Sequence, residues 1–133
     1  MSDHKLLIEA ALKARKSAYA PYSKFEVGAA IQDDNGSIIV GANVESASYG
    51  LSCCAERIAI FKAINEGYKN IYTITVASEG RAAPCGACRQ IIAEFAPKAL
   101  IIMIDAANPD SIQETYINSL LPEAFTSEDL PPN

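Results

Sequence analysis

Two short cysteine motifs constrain this chain more than any other feature. Cys54-Ala55-Glu56 is followed about 30 residues later by Pro84-Cys85-Gly86-Ala87-Cys88. Together they offer three thiolates and one carboxylate. A zinc ion with three protein ligands keeps one position open, which is the arrangement of a catalytic site rather than a structural one. A lone Cys-x-x-Cys is weak evidence. Coupled to Cys-x-Glu, with Pro84 in place, it is much stronger. If the three sulfurs serve one ion, the segments that carry them have to meet.

The hydrophobic pattern supplies a scaffold on which they can. His4 to Ala18 places Leu7, Ile8, Ala11, Leu12 and Arg15 at three-and-four spacing, which predicts an amphipathic helix ended by Pro21. Glu26–Gln32 and Ser37–Val44, rich in Val, Ala and Ile, flank the turn Asp34-Asn35-Gly36 and read as a β-hairpin. Cys54–Glu66 reads as a second helix closed by Gly67. Ile71–Ala77 is a strand, Cys88–Phe95 a helix stopped near Pro97, and Leu100–Ile104 a buried strand. Ile112–Tyr116 is a candidate fifth strand, and the tail from Ile117 through Pro132 has one helical turn and little else. Strands alternating with helices imply an α/β fold, a mixed five-stranded sheet covered by helices on both faces. Both cysteine motifs fall at helix starts.

At 133 residues, half of them apolar, residues 1–133 form one expected domain with an ordinary core. A formal net charge of -5 argues against nucleic acid as a partner, because phosphate binding needs a basic face. No apolar run approaches the roughly 20 residues that span a bilayer, and no membrane partner is expected. Met1-Ser2-Asp3-His4-Lys5 lacks an apolar signal core, so the expected setting is the reducing cytoplasm. There, two disulfides among Cys53, Cys54, Cys85 and Cys88 are disfavoured. The sequon Asn35-Gly36-Ser37 is then irrelevant.

Three thiolates around Zn²⁺ sum to a charge of about -1, which makes a poor Lewis acid unless charge is withdrawn. Two helix N-termini can do that, and Arg57 and Arg89 are nearby cations able to bond to sulfur. Glu56, two residues after a ligand, can reach the open position and carry protons. Its bland reading is a first-turn Glu complementing the helix dipole. Neighbouring side chains on a helix diverge by about 100°, so one of Cys53 and Cys54 faces Cys85 and Cys88. The Cys-x-Glu spacing favours Cys54. His4 reads as a surface residue. A structural zinc on all four cysteines, or a redox pair at Cys85 and Cys88, leaves Glu56 unexplained.

From Ala18-Tyr19-Ala20-Pro21-Tyr22-Ser23 to Leu121-Pro122-Glu123-Ala124-Phe125 the chain resembles the small homotetrameric, zinc-dependent cytidine deaminases. The markers are Tyr22-Ser23-Lys24-Phe25-Glu26-Val27-Gly28-Ala29-Ala30, Gly41-Ala42-Asn43-Val44-Glu45, Cys54-Ala55-Glu56-Arg57 and Pro84-Cys85-Gly86-Ala87-Cys88-Arg89-Gln90. The resemblance implies a three-layer α/β/α sandwich and one zinc per chain on Cys54, Cys85 and Cys88. It implies that Glu56 shuttles protons while zinc-bound hydroxide attacks C4 of cytidine or 2′-deoxycytidine, giving the uridine forms and ammonia in pyrimidine salvage. Arg57 would partly neutralise the sulfurs. Asn43 and Glu45 would bond the ribose hydroxyls, chiefly the 3′-OH. Phe25 would pack beside the pyrimidine, and the backbone at Ala55 would contact it. Phe125 would come from a neighbouring subunit to stack on the base, with Ala47 and Tyr49 lining pockets from adjacent subunits. Asn43 and Glu45, two apart at a strand end, point to one face, in keeping with a hydroxylated ligand. The alternative is a blasticidin-S-type deaminase, which should lack the Asn43–Glu45 pair and Phe125. The rival outside this class is a non-catalytic zinc or redox protein.

Overall fold

The computed structural model describes residues 2–131. The expected tail reaches Pro132, which lies outside the described residues. A five-stranded sheet runs in the order β2-β1-β3-β4-β5. Its hairpin, β1 (Gly28–Asp33) and β2 (Ile38–Ala42), forms where Asp34-Asn35-Gly36 predicts it. Asp33 Oδ1 accepts the backbone N–H groups of Asn35 and Ser37 at 3.0 and 2.9 Å, and Gly36 takes a φ of 84° that favours glycine. β1 also pairs antiparallel with β3 (Ile71–Ser78). β3 and β4 (Leu100–Asp105) are parallel, and β4 and β5 (Asn108–Tyr116) antiparallel. The sheet is therefore mixed, as expected.

Helices cover both faces. Successive strand residues point to opposite sides, so Ala29, Ile31, Ile74, Val76, Ile101 and Met103 share one face. Against it pack Ala59, Ile60 and Ala63 of α2 (Ala55–Asn65) and Ile92 of α3 (Gly86–Phe95). The opposite face sets Ala30 and Ala77 against Leu7 and Ala11 of α1 (Ser2–Ala14). Each fully buried Leu or Ile contributes about 1.5–3 kcal/mol. α3 makes the crossover that the parallel β3–β4 pair requires. α4 (Ile117–Leu120) is the expected helical turn of the tail.

Two glycines set how closely helices approach the sheet. A Cβ on Gly28 would stand 2.1 Å from the Ala11 carbonyl oxygen, and one on Gly41 2.6 Å from the Ala59 nitrogen. The paired positions Gly28↔Ala42 and Ala29↔Gly41 put these contacts on adjacent rungs of one ladder. α1 and α2 are thus seated on opposite faces at nearly the same place.

Several boundaries differ from the pattern-based expectation. α1 stops at Ala14, and Arg15–Ser17 tighten into a 3₁₀ turn well before Pro21. The chain leaves the helix because Tyr19 bridges Val44, its N–H donating to the Asn43 carbonyl at 2.9 Å. The hairpin strands are shorter than expected, and Asn43 and Glu45 lie just past the end of β2. β5 starts at Asn108, four residues before Ile112. It is an edge strand, where Pro109 removes no needed ladder donor, and most of it is exposed, so it carries no strong apolar signal.

Candidate metal centre

Cys54 and Cys85 are the capping residues at the N-termini of α2 and α3. The Cys85 sulfur accepts the backbone N–H of Cys88 at 3.5 Å. Cys88 follows in the first turn and is fully buried. The Sγ atoms of Cys54, Cys85 and Cys88 all lie within 4.8 Å of one another, and Cys54 and Cys85 are 3.9 Å apart. Tetrahedral zinc with Zn–S near 2.3 Å places its sulfurs about 3.8 Å apart. The donor set therefore fits zinc.

Cys53 takes no part. It is not on a helix: Cys53 and Cys54 both lie before α2, and Cys53 pairs with Val44 as an isolated bridge. The divergence of neighbouring residues in extended chain, rather than the 100° step of a helix, separates them. Burial pushes the Cys53 thiol up, as suits an inert packed sulfur. The Cys88 thiol, donating to Cys54, pulls Cys54 down to about 5 against the effect of burial, and the Arg57 guanidinium adds to it. Cys88 is pushed up by that same donation and by burial.

The two arginines divide their work. Arg57 donates to the Cys54 sulfur at 3.6 Å, in line with a charge-neutralising role. Arg89 does not reach the sulfurs. Its Nε donates to the Pro84 carbonyl at 2.7 Å and a terminal nitrogen to the Leu120 carbonyl at 2.9 Å. Arg89 instead ties the residue before Cys85 to the end of α4.

A cleft of about 180 Å³ opens beside the sulfurs, lined among others by Phe25, Val27, Asn43, Cys54, Ala55, Glu56, Val76 and Cys85. Glu56 is 4 % exposed. Burial raises its carboxyl to about 7, with the neighbouring Cys54 charge adding. A buried carboxyl of this kind can both take and give a proton near neutral pH.

Ala82 and Ala83 also line the cleft. They sit on the 79–83 loop after β3, pinned by Ser78 Oγ accepting the Ala82 N–H at 2.9 Å and Asp105 Oδ1 accepting the Gly80 N–H at 3.1 Å. Val27, Val76, Ala82 and Ala83 carried no signal in the sequence, because small and branched apolar residues there look like ordinary core. A depression of about 290 Å³ lies along the same rim, lined by Tyr22, Ser23, Glu45, Tyr49 and Ser52.

Of the residues expected at the site, Cys54, Cys85, Cys88, Glu56, Ala55, Phe25 and Asn43 converge, and Glu45 and Tyr49 lie in the adjoining depression. Ala47 lines neither space, and Phe125 is 57 % exposed and also outside both. Asn43 is less free than a ligand-reading amide would be. Its Oδ1 accepts the Val27 N–H and its Nδ2 donates to the Phe25 carbonyl, both at 2.9 Å.

Comparison with known proteins agrees with this geometry. The sequence model of the cytidine and deoxycytidylate deaminase zinc-binding region matches residues 1–104. A cytidine deaminase of Halalkalibacterium halodurans is 48% identical over 96% of this chain and 98% of its own length. One of Sporosarcina psychrophila is 45% identical over 96% and 95%. The crystal structure of a cytidine deaminase from Burkholderia pseudomallei superimposes with a TM-score of 0.87 at 46% identity, covering 92% of this chain and 98% of that one. A blasticidin-S deaminase of Bacillus cereus is more distant, 30% identical over 78% of this chain and 79% of its own. The family model spans most of this chain, and two cytidine deaminases match it over nearly their whole length at 48% and 45% identity; the chain belongs to the cytidine and deoxycytidylate deaminase family.

Proposed function

We propose that the chain is a single-domain, zinc-dependent hydrolase that converts cytidine and 2′-deoxycytidine to uridine and 2′-deoxyuridine with release of ammonia. One observation carries this reading. Glu56, Cys54 and Cys85 line one cleft whose other walls include Phe25, Val27 and Val76, apolar enough for a flat base.

Zinc on Cys54, Cys85 and Cys88 would supply a Lewis acid that makes a water nucleophilic near neutral pH. Glu56 is placed to take a proton from a water in the cleft as the water oxygen bonds to C4 of the pyrimidine, and to deliver the proton to N3. It then takes the proton of the new C4 hydroxyl and hands it to N4 as the C4–N4 bond breaks. One water enters and one ammonia leaves. Arg57 draws charge from the Cys54 sulfur throughout, and Phe25 and Ala55 hold the base. Asn43 keeps one N–H and one lone pair beyond those spent on the loop, and Glu45 keeps acceptor capacity, so both can serve a sugar hydroxyl.

The homotetramer with shared sites belongs to the same proposal. Phe125, exposed and outside its own cleft, suits a role over a neighbour's base, and Ala47 and Tyr49 suit the walls of adjacent subunits' sites. Tyr19, Tyr22, Val44 and Leu51 leave a broad exposed apolar rim that association would cover. Among the described residues no helix is long and apolar enough to cross a membrane. Salvage of pyrimidine nucleosides in the cytoplasm is the role proposed.

The test is turnover of cytidine, followed by loss of its ultraviolet band, alongside turnover of blasticidin S. Cytidine turned over and blasticidin S left intact is the expected result, and the reverse overturns the substrate. For the shared site, chains carrying Glu56→Gln are mixed with chains carrying Phe125→Ala. Activity above the sum of the parents is expected, and a fully active monomer refutes the tetramer.

A further inference from the structure

The rim segment Tyr22–Phe25 folds around the carboxylate of Glu45. Glu45 Oε1 accepts the backbone N–H groups of Tyr22 and Ser23 at 3.0 and 3.1 Å, and Oε2 accepts the Ser23 hydroxyl. The same hydroxyl oxygen accepts the Phe25 N–H at 3.0 Å. A serine hydroxyl has one donor and two acceptor sites. Here its donor is committed to Glu45 and one acceptor to the backbone of Phe25, so its direction is determined from both sides. Lys24, between them, is held at a φ of 63°, a conformation rare for a non-glycine residue.

This network leaves Glu45 only one way to point. Oε1 is occupied by two N–H groups, while Oε2 has a single partner and a carboxylate oxygen can accept two. The unused acceptor belongs to the depression that Tyr22, Ser23, Glu45, Tyr49 and Ser52 line. Without the Ser23 hydroxyl, Oε2 would lose its only partner; Oε1 would keep its two N–H donors, but the terminal torsion of a glutamate is broad, so the direction of Oε2 would no longer be fixed.

Resting on the cytidine reading, we infer that Ser23 is a positioning residue for sugar recognition: it orients the Glu45 carboxylate so that one oxygen is presented to a nucleoside hydroxyl. Ser23 does not itself touch the reacting atoms. Its effect passes through Glu45, and so depends on the hydroxyl that Glu45 reads.

The experiment compares kcat/KM for cytidine and for 3′-deoxycytidine in the unmodified enzyme, Ser23→Ala and Ser23→Thr. In the unmodified enzyme cytidine is preferred. In Ser23→Ala the preference falls about tenfold, the effect of one lost charge-assisted hydrogen bond, with zinc content unchanged. Ser23→Thr, which keeps a hydroxyl, restores it. A Ser23→Ala enzyme that loses the same factor on both substrates has suffered only general damage, and that result overturns the role. The cycle with Glu45→Ala gives a second reading. Ser23→Ala added to Glu45→Ala should change the substrate preference no further, and additive changes overturn the inference. Absence of cytidine turnover in the unmodified enzyme would defeat the cytidine reading itself and this inference with it; an altered preference in the variants bears on Ser23 alone.

Discussion

The Cys85 sulfur accepts the backbone N–H of Cys88, one candidate zinc ligand capping the helix turn that presents another. Metal affinity and the start of α3 are therefore linked. Purified protein is expected to hold about one zinc per chain, measured by elemental analysis. Cys85→Ala and Cys88→Ala should lose zinc and activity together. Cys53→Ala should keep both, since Cys53 stands apart from the three clustered sulfurs. Zinc loss in Cys53→Ala would overturn the ligand choice.

Glu56 is expected to separate metal binding from chemistry. Positioned proton transfer is worth about 10²- to 10⁴-fold, and here one carboxyl serves successive transfers. Glu56→Gln should retain zinc and melt like the unmodified protein while losing at least a hundredfold in kcat. A near-normal rate would sink the mechanism.

Gly41 faces the backbone of the helix that Cys54 caps, with the Ala59 nitrogen and the Ala55 carbonyl oxygen 2.6 and 2.7 Å from where a Cβ would sit. Gly41→Ala has to push α2 away from the sheet. Overpacking of this kind costs about 1–3 kcal/mol, and the displacement reaches Ala55 and Glu56. The melting temperature and the rate at temperatures where the fold persists should both fall. An unchanged rate would show that α2 relaxes without moving its N-terminus.

Thr75, in the middle of β3, is fully buried, and its hydroxyl has no hydrogen-bond partner among the described residues. A buried polar atom left unpaired costs about 1–3 kcal/mol. Thr75→Val, nearly equal in shape, should therefore stabilise the protein by about 1 kcal/mol or more in thermal or denaturant unfolding, with activity unchanged. A destabilised Thr75→Val would mean that the hydroxyl finds a partner in solution.

The sequence made the scaffold readable where a local rule applied. Asp34-Asn35-Gly36 marked the hairpin because its turn needs a glycine at positive φ, and Leu100–Ile104 stood out as a strand buried on both faces. The first half of β5 was not readable. Asn108, Pro109 and Asp110 lie at an exposed edge, where burial imposes no alternation, and of the three only Asn108 pairs, with Asp105 across a register shift. At the site, the sulfurs and Glu56 were legible because their chemistry is specific. Val76 and Ala82 were not, since nothing separates a cleft wall from a core position without the fold. The double commitment of Asn43 to Phe25 and Val27 was also hidden, because it depends on how a loop 16 to 18 residues away returns to the strand end.

The close approaches at Gly28 and Gly41 are main chain against main chain. A side chain that meets a neighbour can turn to another rotamer; a peptide group cannot. The height of α2 above β2, and with it the depth at which Glu56 sits, is thus gauged by backbone thickness rather than by the sizes of surrounding residues. Exchanges of one aliphatic residue for another at Ile60 or Ile74 can be absorbed by repacking and leave the cleft where it is. In a library screened for turnover, those positions should admit several residues, while Gly28 and Gly41 admit none.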